Sequence, residues 1–156
     1  MVDIADIVSP DGIILDLRSC RSKRQVLKEL SRQAGHLTGI DQQRLLDALL
    51  ERERLGTTGI GHGIAMPHAK LDEINRVVGL FARLDQPVDF ESLDDQPSDL
   101  IFLLLAPNSA DTTSLKALAR ISRLLRDPGT RERLRQEPDR RTVYRMLTEK
   151  PECHAA

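Results

Sequence analysis

The sequence predicts a single α/β domain, layered from one sheet and its flanking helices. Three observations carry that expectation. The chain has 156 residues, which suits one domain with a real core over 1–156 and leaves little for a second. Segments with helical apolar spacing alternate with apolar runs of strand length. The run SDLIFLLLAP at 98–107 is apolar at successive positions, so it reads as a strand covered on both faces and central in its sheet.

The elements follow in order. GIILDL at 12–17 is the first expected strand. Ser22 followed by Gln25 spells a capping box, and Val26, Leu27, Leu30 and Ala34 then share a helical face until Gly35 stops it. Asp41 caps a second helix whose stripe is Leu45, Leu46, Leu49 and Leu50 and whose end is Gly56. A glycine-rich loop comes next, then strands INRVVGLFARL at 74–84 and SDLIFLLLAP at 98–107. The third helix, in DTTSLKALARISRLLRD, turns Leu115, Leu118, Ile121, Leu124 and Leu125 inward. GTRERLRQ and DRRTVYRMLTE close the chain as one short and one longer helix. This pattern leaves the strand order open.

Composition narrows the function classes. Hydrophobic residues are 40% and charged residues 30% of the chain, as in soluble globular proteins. No apolar run reaches membrane-spanning length, and MVDIADIVSP lacks the basic and apolar segments of an export signal. Cys20 and Cys153 show no CxxC spacing and read as reduced thiols, so a cytoplasmic protein is expected. With no Trp and only Phe81, Phe90, Phe102 and Tyr144 aromatic, the core must be aliphatic. Residues 51–115 carry 5 basic and 11 acidic side chains, and residues 116–150 carry 11 basic and 5 acidic. That asymmetry could mark a nucleic-acid surface. No aromatics interleave with the arginines to stack bases, so solvated helices are the better reading and no nucleic-acid partner is expected.

The unusual stretch is ERERLGTTGIGHGIAMPHAKLDE, residues 51–73. It is not a P-loop, because no GxxxxGK[ST] occurs, and GIGHG followed by Pro67 cannot open a dinucleotide-binding helix. His62 and His68 lie at a spacing that is no recurring metal pattern, and there is no GxSxG elbow, so neither a metal centre nor a serine hydrolase is expected. No cofactor is implied. Gly59, Gly61 and Gly63, with Thr58, allow close backbone approach and can aim N–H groups at an anion. Pro67 fixes its own φ and restrains Met66, so His68 projects from a stiff point. A neutral imidazole is a good nucleophile near neutral pH, and its product with a phosphoryl donor is a phosphoramidate that keeps high transfer potential. Arg52, at the end of the second helix, could fork onto phosphoryl oxygens. APNSADTTS leads into the third helix, where first-turn N–H groups and the hydroxyls of Thr112, Thr113 and Ser114 offer an anion site. Each feature has a structural reading by itself, as a surface histidine, a helix-end arginine or capping hydroxyls; their coincidence favours phosphoryl chemistry.

At these residues the chain resembles the enzyme IIA domains of the bacterial phosphotransferase system, in the fructose/mannitol class and nearest the nitrogen-regulatory type. RERLGTTGIGHGIAMPHAK carries the resemblance, with PVDF…QPSDLIFLLLAP and the helix after it. It implies the mannitol-type IIA fold, a mixed sheet flanked by helices on both faces. It implies that an HPr-like histidine phosphocarrier phosphorylates His68 on Nε2, with Arg52 supporting the phosphoryl group. It implies regulated partners such as potassium-transport systems or sensor kinases; no membrane insertion is expected, and a weak homodimer is left open. One departure stands out: a His-Leu pair common in the family reads Ser114-Leu115 here. A hydroxyl can still donate to a phosphoryl oxygen but carries no charge, and His62 is the auxiliary candidate to compensate. The alternatives are a sugar-specific component passing phosphate to a permease, and a binding module of the same fold that is never phosphorylated.

Overall fold

Residues 98–107 form the spine of the molecule. The computed structural model describes residues 3–109 and 112–149, so Cys153 lies outside the described residues. A 3-10 turn at Ile4–Asp6 precedes β1 (Val8–Leu17), α1 (Lys23–Thr38) and α2 (Gln42–Arg54). Then come β2 (Gly59–Gly61), β3 (Ile64–Ala65), β4 (His68–Leu71), β5 (Val78–Val88) and β6 (Ser98–Pro107). Three helices close the described chain: α3 (Thr113–Arg126), α4 (Pro128–Gln136) and α5 (Arg140–Thr148).

The sheet is mixed and six-stranded, in the order β1-β5-β6-β3-β2, with β4 also on β6. β1 runs parallel to β5, and β5 antiparallel to β6. The short strands β3 and β4 lie one after the other along the far edge of β6, both parallel to it: Ile64 and Ala65 face Leu100 and Ile101, and His68 faces Leu104. This arrangement seats the histidine beside the C-terminal half of the central strand β6, on a short strand that pairs with β6 alone.

Alternation along β6 divides the core in two. Ile101, Leu103 and Leu105 pack with Leu80 and Ala82 against Val26, Leu27 and Leu30 of α1 and Leu45, Leu46 and Leu49 of α2. Leu100, Phe102 and Leu104 pack with Phe81 against Ala117, Ile121 and Leu125 of α3, Leu134 of α4 and Val143 of α5. Helices therefore cover both faces. That is why 98–107 is apolar without alternation.

Several boundaries differ from expectation. α1 runs past Gly35 to Thr38 and ends at Gly39, whose φ of 77° is left-handed and whose N–H donates to the Gly35 carbonyl at 2.9 Å. Gly35 stays inside the helix because the Ile40 carbonyl oxygen packs against it, 3.1 Å from where a Cβ would sit. Gly39→Ala is expected to cost about 1–2 kcal/mol, the left-handed penalty of a Cβ; the midpoint of urea unfolding at unchanged slope reads it. β5 extends through Asp85, Gln86 and Pro87, a turn-like spelling accommodated by a register shift between Arg83 and Val88. Leu115 does not turn inward but is 66% exposed; the buried line on α3 is Ala117-Ile121-Leu125, flanked by partly buried Leu118 and Leu124. α4 and α5 are equal, at 9 residues each.

The arginine-rich helices use several of their cations to hold backbone carbonyls. Arg131 Nη1 donates to the carbonyls of Leu125 and Arg126, and Arg140 Nη2 donates to that of Pro10. No helix among the described residues is long and apolar enough to cross a membrane.

Candidate functional site

The site is built where the end of α2, the glycine-rich segment and the middle of α3 meet. Asp41 starts α2 by accepting from the Arg44 N–H, and the helix ends at Leu55 and Gly56, which bond back to the carbonyls of Arg52 and Glu53. That ending points Arg52 and Glu53 at the segment that follows.

Glu53 is the anchor. Its side chain is only 5% exposed and accepts from Lys23 Nζ at 3.1 Å, from the Thr58 hydroxyl, and from the Thr58 N–H at 3.4 Å. Burial alone would lower the Lys23 ammonium's pKa; hydrogen bonds and charge from Glu91 and Glu53 override it and leave the value above that of an ordinary lysine. Thr58, fixed this way, accepts at its carbonyl from the Met66 N–H at 2.9 Å.

What was expected as a loop is a hairpin. β2 and β3 pair antiparallel with Gly61 opposite Ile64, and His62 and Gly63 make the turn with φ of 59° and 81°. Two positive φ values in a two-residue connection are the primed-turn geometry that suits strand twist. Strands of two to four residues are too short to show a period, which hid them in the sequence.

The chain then passes through buried Pro67 to His68, the first residue of β4 and half-buried. The ring is held at both nitrogens. Nδ1 lies 2.9 Å from the Met66 carbonyl oxygen, and Nε2 lies 3.3 Å from Arg52 Nε. A carbonyl only accepts, so Nδ1 carries the proton; Nε2 then presents its lone pair, to which Arg52 donates. Arg52 is itself braced, its Nη1 donating to the Gly56 carbonyl at 2.9 Å. The arrangement gives a neutral imidazole with its nucleophilic nitrogen toward a cleft and a guanidinium beside that nitrogen.

The cleft measures about 320 Å³ and is lined by Arg52, Thr57, Thr58, Ile60, Met66 and His68, with Leu118, Ala119 and Ser122 of α3. The other residues singled out from the sequence fall elsewhere. Ser114 and Thr113 line a separate, larger cleft with Asn75 and Arg76, so the structure does not bring the start of α3 to His68. Residues 110 and 111 of the expected anion site lie outside the described residues. Thr58 commits its hydroxyl to Glu53. Gly59, Gly61 and Gly63 do not line the cleft. Gly59 instead gives room to Ser92 and Phe90, and Gly63 to Arg135 and Asp99. His62 is exposed and borders a third cleft with Asp99 and Arg135.

Sequence reasoning missed Ser122, the Met66 carbonyl and the anchoring role of Glu53. Ser122 carried one signal: it stands four residues after Leu118 on the same helix face. The carbonyl carried none, because backbone acceptors are invisible in side-chain spelling.

Comparison with known proteins places this geometry. Residues 6–150 match the family model described as "Phosphoenolpyruvate-dependent sugar phosphotransferase system, EIIA 2". A nitrogen regulatory protein of Bradyrhizobium diazoefficiens is 49% identical over 148 residues, covering 95% of this chain and 96% of the relative. The crystal structure of nitrogen regulatory protein IIA-Ntr from Neisseria meningitidis superposes with a TM-score of 0.88 at 30% identity, over 93% of this chain and 99% of that one. The fold is shared more distantly by the mannitol enzyme IIA of Escherichia coli, solved in complex with its phosphorylated enzyme IIB, at a TM-score of 0.78, 20% identity, and coverage of 91% and 97%. The matched span takes in both core layers and the His68 hairpin, and on it the chain belongs to the EIIA 2 family of the phosphoenolpyruvate-dependent sugar phosphotransferase system, in its nitrogen-regulatory type.

Proposed function

We propose that this protein accepts a phosphoryl group on His68 Nε2 from an HPr-like phosphocarrier, and that its phosphorylation state decides which partners it binds. The observation that carries the reading is the clamped ring: the Met66 carbonyl holds the Nδ1 proton, and Nε2 faces Arg52. In the transfer, the donor's bond to phosphorus breaks and its electron pair stays with the donor. The Nε2 lone pair forms the new bond, and the proton stays on Nδ1, still donated to the Met66 carbonyl. Arg52 loses its bond to Nε2 as that lone pair is consumed, and its N–H turns to a phosphoryl oxygen. No reorganisation of the ring is needed.

A phosphoryl group, adding net negative charge and three acceptor oxygens beside an apolar surface, alters the partners that surface fits. Ile60 is 48% exposed and Leu55 81%, both next to the cleft-forming segment. We assign regulated partners of the kind implied by the nitrogen-regulatory type, potassium-transport systems or sensor kinases, to this surface. Ser114 lines the other cleft, and Arg52 and the Met66 carbonyl hold the ring without it, which supports this reading over a module that is never phosphorylated.

The test is to incubate the protein with phosphoenolpyruvate, the upstream kinase and the histidine phosphocarrier. An acid-labile mass increase of one phosphoryl group is expected; no increase with an active carrier contradicts the reading. We take the Ser122 hydroxyl, which lines the cleft, as a donor to the incoming phosphoryl oxygens, so Ser122→Ala is expected to slow phosphorylation about 3- to 10-fold, the value of one hydrogen bond of roughly 0.5–1.5 kcal/mol. Ser114→Ala should leave the rate within about twofold, since its side chain lines the other cleft.

A further inference from the structure

We infer that Arg135 is a positioning residue for His68, acting through the β2–β3 turn; the inference rests on the phosphoryl-acceptor reading of that histidine. Arg135 stands in the last turn of α4, far along the chain from the hairpin. Its Nε lies 2.9 and 3.2 Å from the two carboxylate oxygens of Asp99, and its Nη2 donates to the His62 carbonyl at 2.8 Å. Its side chain is 28% exposed and that of Asp99 21%, so the pair is shielded from much of the screening that weakens surface ion pairs.

The rest of the turn is fixed as tightly. The His62 N–H donates to Asp94 Oδ2 at 2.9 Å, and the Gly63 carbonyl accepts from the N–H groups of Asp99 and Leu100, each at 3.0 Å. The guanidinium occupies the space a Cβ on Gly63 would need. A non-glycine residue at φ of 59° costs free energy and persists only where surroundings over-determine it. Arg135 supplies part of that determination. Its own helix is tied to the sheet by Arg83, whose Nη1 donates to the carbonyls of Leu134 and Glu137 at 2.8 and 2.6 Å.

The consequence reaches the site because the intervening strand is short. From Gly63 the chain makes only Ile64–Ala65 before Met66, whose carbonyl sets the His68 ring. A turn released from α4 lets that carbonyl drift, and a displaced acceptor no longer selects the Nδ1–H tautomer. Stability alone is a different role, and the two are separable.

The experiment uses the full chain, labelled with 15N and kept without a phosphoryl donor, so that ring-nitrogen shifts of His68 report its tautomer. The wild-type ring is expected as Nδ1–H. In Arg135→Ala the Nε2–H form should rise to a comparable population, and the phosphorylation rate at saturating carrier should fall about tenfold, as a misplacement of about 1 Å costs up to ~10²-fold. Arg135→Met keeps the packed stem and loses every donor; it should show the same ring signature in a protein that remains folded. Arg140→Ala removes another guanidinium that grips a backbone carbonyl, and should lower stability without moving the ring. Wild-type shifts in a folded Arg135→Met protein, or an equal tautomer change in Arg140→Ala, would overturn the inference. A wild type that takes no phosphoryl group, with the tautomer change still present in the Arg135 variants, defeats the functional reading and leaves the Arg135 assignment standing.

Discussion

The His68→Ala protein is expected to take up no phosphoryl group while keeping its fold. The ring is half-buried at the start of β4, and β4 is held to β6 through backbone bonds such as Leu104 N–H to the Pro67 carbonyl at 3.0 Å. Truncating the ring removes the nucleophile and spares the sheet. No other group in the cleft can substitute. The Thr57 hydroxyl donates to the Phe90 carbonyl and accepts from the Gly59 N–H, and the Thr58 hydroxyl donates to Glu53. With His68 truncated, the cleft lining offers the Ser122 hydroxyl no carboxylate or imidazole to act as its base. Intact-mass measurement after incubation with the carrier checks this, alongside thermal unfolding. A surviving acid-labile increment would move the acceptor elsewhere.

The second large effect is expected at Glu53. Glu53→Ala strands the Lys23 ammonium with the exposed Glu91 alone, and leaves the buried Thr58 hydroxyl without its acceptor. Lys23 is partly exposed and keeps Glu91, so the cost is that of a lost charge-assisted hydrogen bond rather than a stranded buried charge, about 1.5–3 kcal/mol. The damage also reaches function, because Thr58 holds Met66 and Met66 holds the ring. The urea midpoint should fall and the phosphorylation rate drop at least about tenfold, the scale of a misaligned nucleophile. The pH dependence carries a sign that can be checked. Lys23 has a raised pKa in the folded state, so its pairing stabilises fully below the ordinary lysine value, and that stability is lost as pH rises through the folded value. Wild type should therefore lose stability in the alkaline limb, and Glu53→Ala should lose less of it. An unchanged midpoint and rate would show that the pair is dispensable.

Much of this was legible in the letters, and the reasons for the rest are physical. β6 matched SDLIFLLLAP residue for residue because a strand covered on both faces leaves a continuous apolar run. Ser22 and Asp41 capped the helices they were expected to cap, since an N-cap side chain bonds within three residues and the signal is local. Gly35 misled because glycine stops helices for one reason and admits a close neighbour for another, and only tertiary packing tells them apart. His68 and Arg52 came together as expected. Ser114 did not join them, because where a helix residue points depends on the roll of α3 against the sheet, which sequence spacing leaves undetermined. The glycines suggested an anion cradle, yet their work is steric, admitting Ser92, Asp94 and Arg135 against a tight hairpin.

The most direct test of the central claim is to ask which ring nitrogen bears phosphorus. The protein, 15N-labelled and phosphorylated by its carrier, should show 31P coupled to His68 Nε2, with Nδ1 still protonated against the Met66 carbonyl. Phosphorus on Nδ1, or on any residue other than His68, would contradict the account.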